Sequence, residues 1–128
     1  MLKMIATMKR KPGLTREEFR AYYETRHTQL AKLIAECVLD YRRSYPVPNP
    51  AEPEKIYNPS GSELADLDDS AFDCMTEVWF KDEEALIKLY EIMARPDVAA
   101  LFEEDEKRFV DRSTTRIVIC EERQGWSD

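Results

Sequence analysis

The sequence is poor in the residues from which most cofactor and metal sites are built. Its 128 residues hold one histidine, three cysteines and three glycines. Gly13, Gly61 and Gly125 each stand alone. A phosphate loop or dinucleotide fingerprint needs clustered glycines for close backbone approach, so neither can be assembled. With His27 as the single histidine and no paired cysteine or His-x-x-x-His spacing, a dedicated zinc site is not expected. There is no Gly-x-Ser-x-Gly nucleophile elbow. The expectation is chemistry with no organic cofactor and no metal. Cys37, Cys74 and Cys120 are odd in number and far apart, as for reduced thiols in a cytoplasmic protein rather than a disulfide scaffold. Pro59 disqualifies Asn58-Pro59-Ser60 as a glycosylation acceptor. No run approaches the roughly 18 uninterrupted apolar residues of a membrane span. Lys3 and Lys9 break the opening stretch where a secretory signal needs an apolar centre. Positive charge is also in deficit, 19 Lys and Arg against 26 Asp and Glu, a formal net charge of −7. That balance argues against nucleic acid and anionic membranes as partners, and the cluster Lys9-Arg10-Lys11 is too short to reverse it.

What is present reads as one globular domain over residues 1–128. Leu2 to Lys9 is expected to be a strand, with Leu2, Met4, Ala6 and Met8 on one face and Ile5 and Thr7 on the other. Pro12-Gly13 turns the chain. Thr15 and Glu18 form a capping box, and Leu14 and Phe19 sit at hydrophobic-staple positions, so a helix should start here and end near Glu36 or Cys37. Phe19, Tyr23, His27, Leu30 and Ile34 share its inner face. Tyr41 to Val47 reads as a strand that Pro46 and Pro48 confine to a sheet edge or cut short. Residues 48–71 form a long proline-rich loop, expected to be a mobile lid over a pocket or a plain surface insertion. Phe72 to Phe80 is the third strand. Asp82 caps a helix with the stripe Leu86, Leu89, Tyr90 and Met93. Pro96 breaks it, and Asp97 is positioned to cap another, with the stripe Val98, Leu101, Phe102 and Phe109 and with Asp105 inside that stripe. Thr115 to Glu122 is the last strand, and 123–128 are a polar tail.

The expected fold class is therefore α+β: a ferredoxin-like βαββαβ order, an extra helix before the last strand, and a four-stranded antiparallel sheet. Helices on one side leave the other sheet face bare, with apolar residues from every strand. A homodimer that packs two such faces together would close a dimeric α+β barrel.

Two residues stand out for chemistry. His27 sits on the inner helix face, and histidine is the side chain best matched to proton transfer near neutrality. Asp105 lies on an apolar stripe, where a carboxylate needs a partner. It either orients His27, as carboxylates orient catalytic imidazoles, or pairs outward with Arg108 or Lys107. His27 is alternatively a hydrogen-bonded structural residue. Tyr23, Tyr45, Trp79 and Phe109 are candidates for an aromatic substrate-binding wall suited to a phenolic or quinonoid ligand, or else ordinary core and dimer packing. Asp111 is read as a turn cap, and Glu77 as a partner of Arg43 across the sheet.

Three segments carry a family resemblance. Phe19-Arg20-Ala21-Tyr22-Tyr23-Glu24-Thr25-Arg26-His27 resembles the EthD signature, an aromatic pair ahead of a histidine on the first helix. Glu77-Val78-Trp79-Phe80-Lys81-Asp82 with Glu83-Glu84-Ala85-Leu86 is similar to the family's third-strand-to-helix segment, and Asp105 to Asp111 to its acidic segment before the last strand. The resemblance implies a dimeric α+β barrel with a pocket between helices and sheet, containing His27. It implies a small cofactor-independent enzyme that acts on an aromatic or polyketide-like molecule by proton transfer: dehydration, cyclisation, isomerisation or decarboxylation. The alternatives are a non-catalytic small-molecule binding or accessory protein, a cofactor-free monooxygenase, and a haem-binding protein with His27 as ligand.

Overall fold

The computed structural model describes residues 1–51 and 70–126. Most of the expected lid, 52–69, and the last two residues of the tail lie outside the described residues. The elements in chain order are β1 (Leu2–Arg10), α1 (Arg16–Tyr22), a π turn (Tyr23–His27), α2 (Thr28–Leu30), a 3-10 run (Ala31–Cys37), β2 (Asp40–Ser44), β3 (Cys74–Phe80), α3 (Glu83–Met93), α4 (Pro96–Phe109) and β4 (Val110–Glu121). They build an α+β fold around one four-stranded sheet of order β2-β3-β1-β4, with every pair antiparallel.

Local chemistry sets most boundaries. Thr15 Oγ1 accepts the Glu18 N–H at 3.1 Å and Glu18 Oε1 accepts the Thr15 N–H at 3.1 Å, so the capping box starts α1 where its residues predict. Asp82 Oδ1 accepts the Ala85 N–H at 2.9 Å and starts α3. The helix that begins at Pro96 starts two residues earlier than an Asp97 cap requires. Proline occupies its first turn, where a missing N–H costs nothing, and Asp97 instead pairs with Arg95. At the sheet edge β2 stops at Ser44 rather than Val47, before Pro46, which has no N–H to donate. β4 starts at Val110, five residues before the expected Thr115, because α4 runs straight into it. The register slips between Thr7 and Lys9 to accommodate the added length. There Thr114 Oγ1 accepts the Lys9 N–H, and Asp111 Oδ1 accepts the Ser113 N–H, the turn-capping role read for Asp111.

Two apolar clusters fill the space between sheet and helices. One joins Ala6, Met8, Phe19, Tyr23, Cys74, Phe109 and Val110; the other joins Cys37, Val78, Phe80 and Leu89. Two stripe assignments need correction. Leu101 and Tyr90 are exposed, because α4 turns Val98, Phe102, Asp105 and Phe109 inward and α3 turns Leu89.

The bare sheet face also differs from its expected composition. Ile5, Met75, Trp79 and Val118 lie on it, but the register puts Asp40 opposite Trp79 and Arg42 opposite Glu77, so β2 contributes polar groups. Glu77 pairs here with Lys3, not with Arg43, which projects to the helix side. Lys3 also bonds Glu122 at 2.8 Å, and Glu122 accepts the Trp79 Nε1–H at 2.6 Å. Lys3 and Arg42 both lie over the Trp79 ring.

Candidate functional site

The site forms where the first helix changes its winding. Across the π turn the Thr28 N–H bonds the Tyr23 carbonyl, five residues back. In a regular α-helix, residues five apart point about 140° away from each other. The wider turn brings Tyr22 and His27 to the same side, facing α4. π turns recur at functional sites.

From α4, Asp105 meets both. Its Oδ1 accepts the Tyr22 O–H at 2.6 Å, and its Oδ2 lies 2.8 Å from His27 Nδ1. His27 is 9% exposed and Asp105 8%. The outward pairing does not occur: Arg108 bonds Glu104 and Lys107 bonds Glu103. Three rings enclose the imidazole, with centroids at 5.0 Å for Tyr23, 5.8 Å for Phe102 and 5.0 Å for Phe109. A carboxylate on Nδ1 holds the neutral ring as the Nδ1–H tautomer and leaves Nε2 as the basic nitrogen. Among the described residues Nε2 makes no hydrogen bond, and no side-chain nitrogen or oxygen is sealed away without a partner. Burial, reinforced by the Asp105 hydrogen bond, pushes the Tyr22 phenol above its ordinary range, with the Arg108 guanidinium opposing. Tyr22 thus stays a protonated donor at neutral pH.

The other candidate residues are distributed around and beyond this pair. Phe109, fully buried, packs against the imidazole and against Phe19, Tyr22 and Tyr23. Tyr23 is 1% exposed, and its hydroxyl is engaged with Thr76 Oγ1 at 2.6 Å and with the Tyr41 hydroxyl at 3.0 Å. Burial first, and Tyr41 next, raise its pKa. Tyr45 donates to Glu24 Oε2 at 2.6 Å, and Arg43 grips the same carboxylate at 2.6 and 2.8 Å. The Arg43 bonds hold Glu24 below the usual carboxylate range. Trp79 lies on the opposite sheet face and does not meet His27. A cleft of about 230 Å³ opens between Arg16 and Arg20 on one side and Tyr45 to Pro48 on the other. It does not reach His27: the Tyr23 ring stands between, 6.2 Å from Tyr45 and 5.0 Å from His27. Among the described residues no three His, Cys, Asp or Glu side chains gather as a metal site would require.

Sequence reasoning missed Tyr22, because the ordinary helical period points it away from His27. Nothing in the sequence marks the π turn in advance. Tyr41 and Thr76 were likewise missed as the partners of the Tyr23 hydroxyl.

The EthD domain profile matches residues 11–113. No curated protein matches the chain. Among solved structures, an EthD family protein from Bacillus halodurans is 24% identical, with 96% of this chain and 99% of that one covered and a TM-score of 0.61. An EthD-like protein from Ralstonia eutropha is 17% identical, with 94% and 90% covered and a TM-score of 0.58. SnoaB from Streptomyces nogalater, a cofactor-independent oxygenase, is 8% identical, with 99% and 97% covered and a TM-score of 0.57. These likenesses establish the shared ferredoxin-like fold.

Proposed function

The chain belongs to the EthD domain family, and on that premise we propose that it is a small cofactor-independent enzyme that moves a proton on an aromatic or polyketide-like molecule. The observation that carries the reading is the buried contact of His27 Nδ1 with Asp105 Oδ2 at 2.8 Å, with Nε2 unbonded among the described residues. In that arrangement Nε2 takes a proton from the substrate or returns one, and Asp105 stabilises the imidazolium in between. Phe102, Phe109 and the Tyr23 ring supply an apolar surround that favours a flat, largely apolar ligand. Dehydration, cyclisation, isomerisation and decarboxylation all need such a base and acid. Oxygenation of an electron-rich phenol also begins with deprotonation, and the fold shared with SnoaB favours that variant.

The test is a panel of phenolic and quinonoid polyketide-like compounds, followed for consumption and for shifts in melting temperature. His27→Ala should lower turnover of an accepted compound by about a hundredfold or more with the fold retained. Compounds that raise the melting temperature without being consumed would replace the enzyme by a binding protein.

We also propose that a second copy of the chain covers the bare sheet face, forming a homodimer. Exposed Val118 on the edge strand, with Ile5 and Met75 on the neighbouring strands, is the apolar contribution. A ferredoxin-like protein from Bacteroides fragilis that shares the fold is described as dimeric. Light scattering at micromolar concentration should give twice the monomer mass; a monomer would remove the claim.

A further inference from the structure

We propose that Tyr22 is a positioning residue for the His27–Asp105 pair. Its hydroxyl locks the carboxylate so that one oxygen is permanently presented to Nδ1. This deepens the proton-transfer reading and rests on it. A carboxylate has two oxygens and a free side-chain torsion, and without a second anchor Asp105 can turn Oδ2 away from the ring. Tyr22 supplies that anchor: its O–H reaches Oδ1 at 2.6 Å, a short charge-assisted bond, while Oδ2 stays 2.8 Å from Nδ1. The Tyr22 ring is itself held, 4.9 Å from the Phe109 ring, and Phe109 is fully buried. Both anchors of the carboxylate come from the first helix, and the π turn allows both to face α4. A regular α-helix through the same residues would deliver one or the other. The π turn is thus the feature that makes the three-residue chain Tyr22–Asp105–His27 possible.

The chemical consequence is a fixed tautomer. With Oδ2 held in place, Nδ1 keeps its proton and Nε2 remains the basic atom. Tyr22 does not touch the atom that reacts; it acts through Asp105.

Because His27 is the only histidine, its isotope-labelled imidazole nitrogens give a single, unambiguous pair of magnetic resonance signals. The measurement needs no substrate. In the wild-type protein at pH values where the ring is neutral, the signals should report Nδ1–H, with slow exchange of that proton with water. Tyr22→Phe keeps the ring that packs on Phe109 and removes only the hydroxyl. It should speed exchange of the Nδ1 proton by about tenfold or more, the ratio expected from losing one hydrogen bond to a charged acceptor, and bring in the Nε2–H tautomer. Tyr41→Phe is the control. It removes another core hydroxyl, the one that donates to Tyr23, and should leave the imidazole signals unchanged. Wild-type signals of Nδ1–H that are identical in Tyr22→Phe would overturn the role of Tyr22 and leave the His27–Asp105 pair standing. Equal changes in Tyr22→Phe and Tyr41→Phe would reduce Tyr22 to general packing. A wild-type Nε2–H tautomer would instead overturn the pair itself.

Discussion

Asp105→Asn is expected to lower turnover by about a hundredfold or more while leaving the fold intact. The amide is nearly the same size as the carboxylate, so the packing around it survives. Its two possible orientations fail for different reasons. With the NH2 group toward His27, it donates to Nδ1, the ring proton moves to Nε2 and the basic nitrogen is lost. With the carbonyl toward His27 the tautomer is kept, but the negative charge that stabilises the imidazolium is gone. Either way the loss should match that of His27→Ala. Residues that act as one unit do not add, so the double variant should be no slower than the slower single variant. Steady-state rates of the three variants on one accepted compound decide this. A double variant whose loss is the product of the two single losses would mean that Asp105 and His27 act independently.

Phe109→Ala should cost about 3–5 kcal/mol of stability, a large share of the total of a domain this size. The ring is fully buried and lies within 4.9 to 5.6 Å, centroid to centroid, of Phe19, Tyr22, Tyr23 and His27. It closes α4 where the chain enters β4. Its removal opens a cavity beneath the site and frees Tyr22 and His27 together. Urea denaturation measures the loss. A change below about 1 kcal/mol would show that neighbouring side chains collapse into the space. Phe109→Leu, which refills part of the volume, should lose less.

The residues that were easy to read are those whose signal is local. The capping box of Thr15 and Glu18, the Asp82 cap, the alternation of β1 and the prolines that end β2 are each decided within a few residues of chain. The inward position of His27 followed from helical period, as did the presence of Asp105 on the buried stripe of α4. Where the reading failed, the deciding partner was distant. Glu77 and Arg43 are on adjacent strands, but the register pairs Arg42 with Glu77 and sends Arg43 to the opposite face and to Glu24. Leu101 and Tyr90 are apolar or aromatic residues at plausible helical positions, and only the orientation of α3 and α4 against the sheet left them outside.

By itself, then, the sequence determined the order of elements, the antiparallel α+β class and the candidate base. Hydrophobic period, caps and breakers act over one or two turns and need no knowledge of the rest of the molecule. Which oxygen meets which nitrogen was decided by the tertiary structure alone. His27 and Asp105 lie 78 residues apart, and Tyr22 and Asp105 lie 83 apart. Whether they touch depends on how α4 settles on the first helix and on a single widened turn between Tyr23 and His27. That turn is a compromise of packing across the whole core, in which Tyr23 bonds Thr76 on β3 while Tyr22 and His27 both face α4. No local preference of the residues within it would select that geometry.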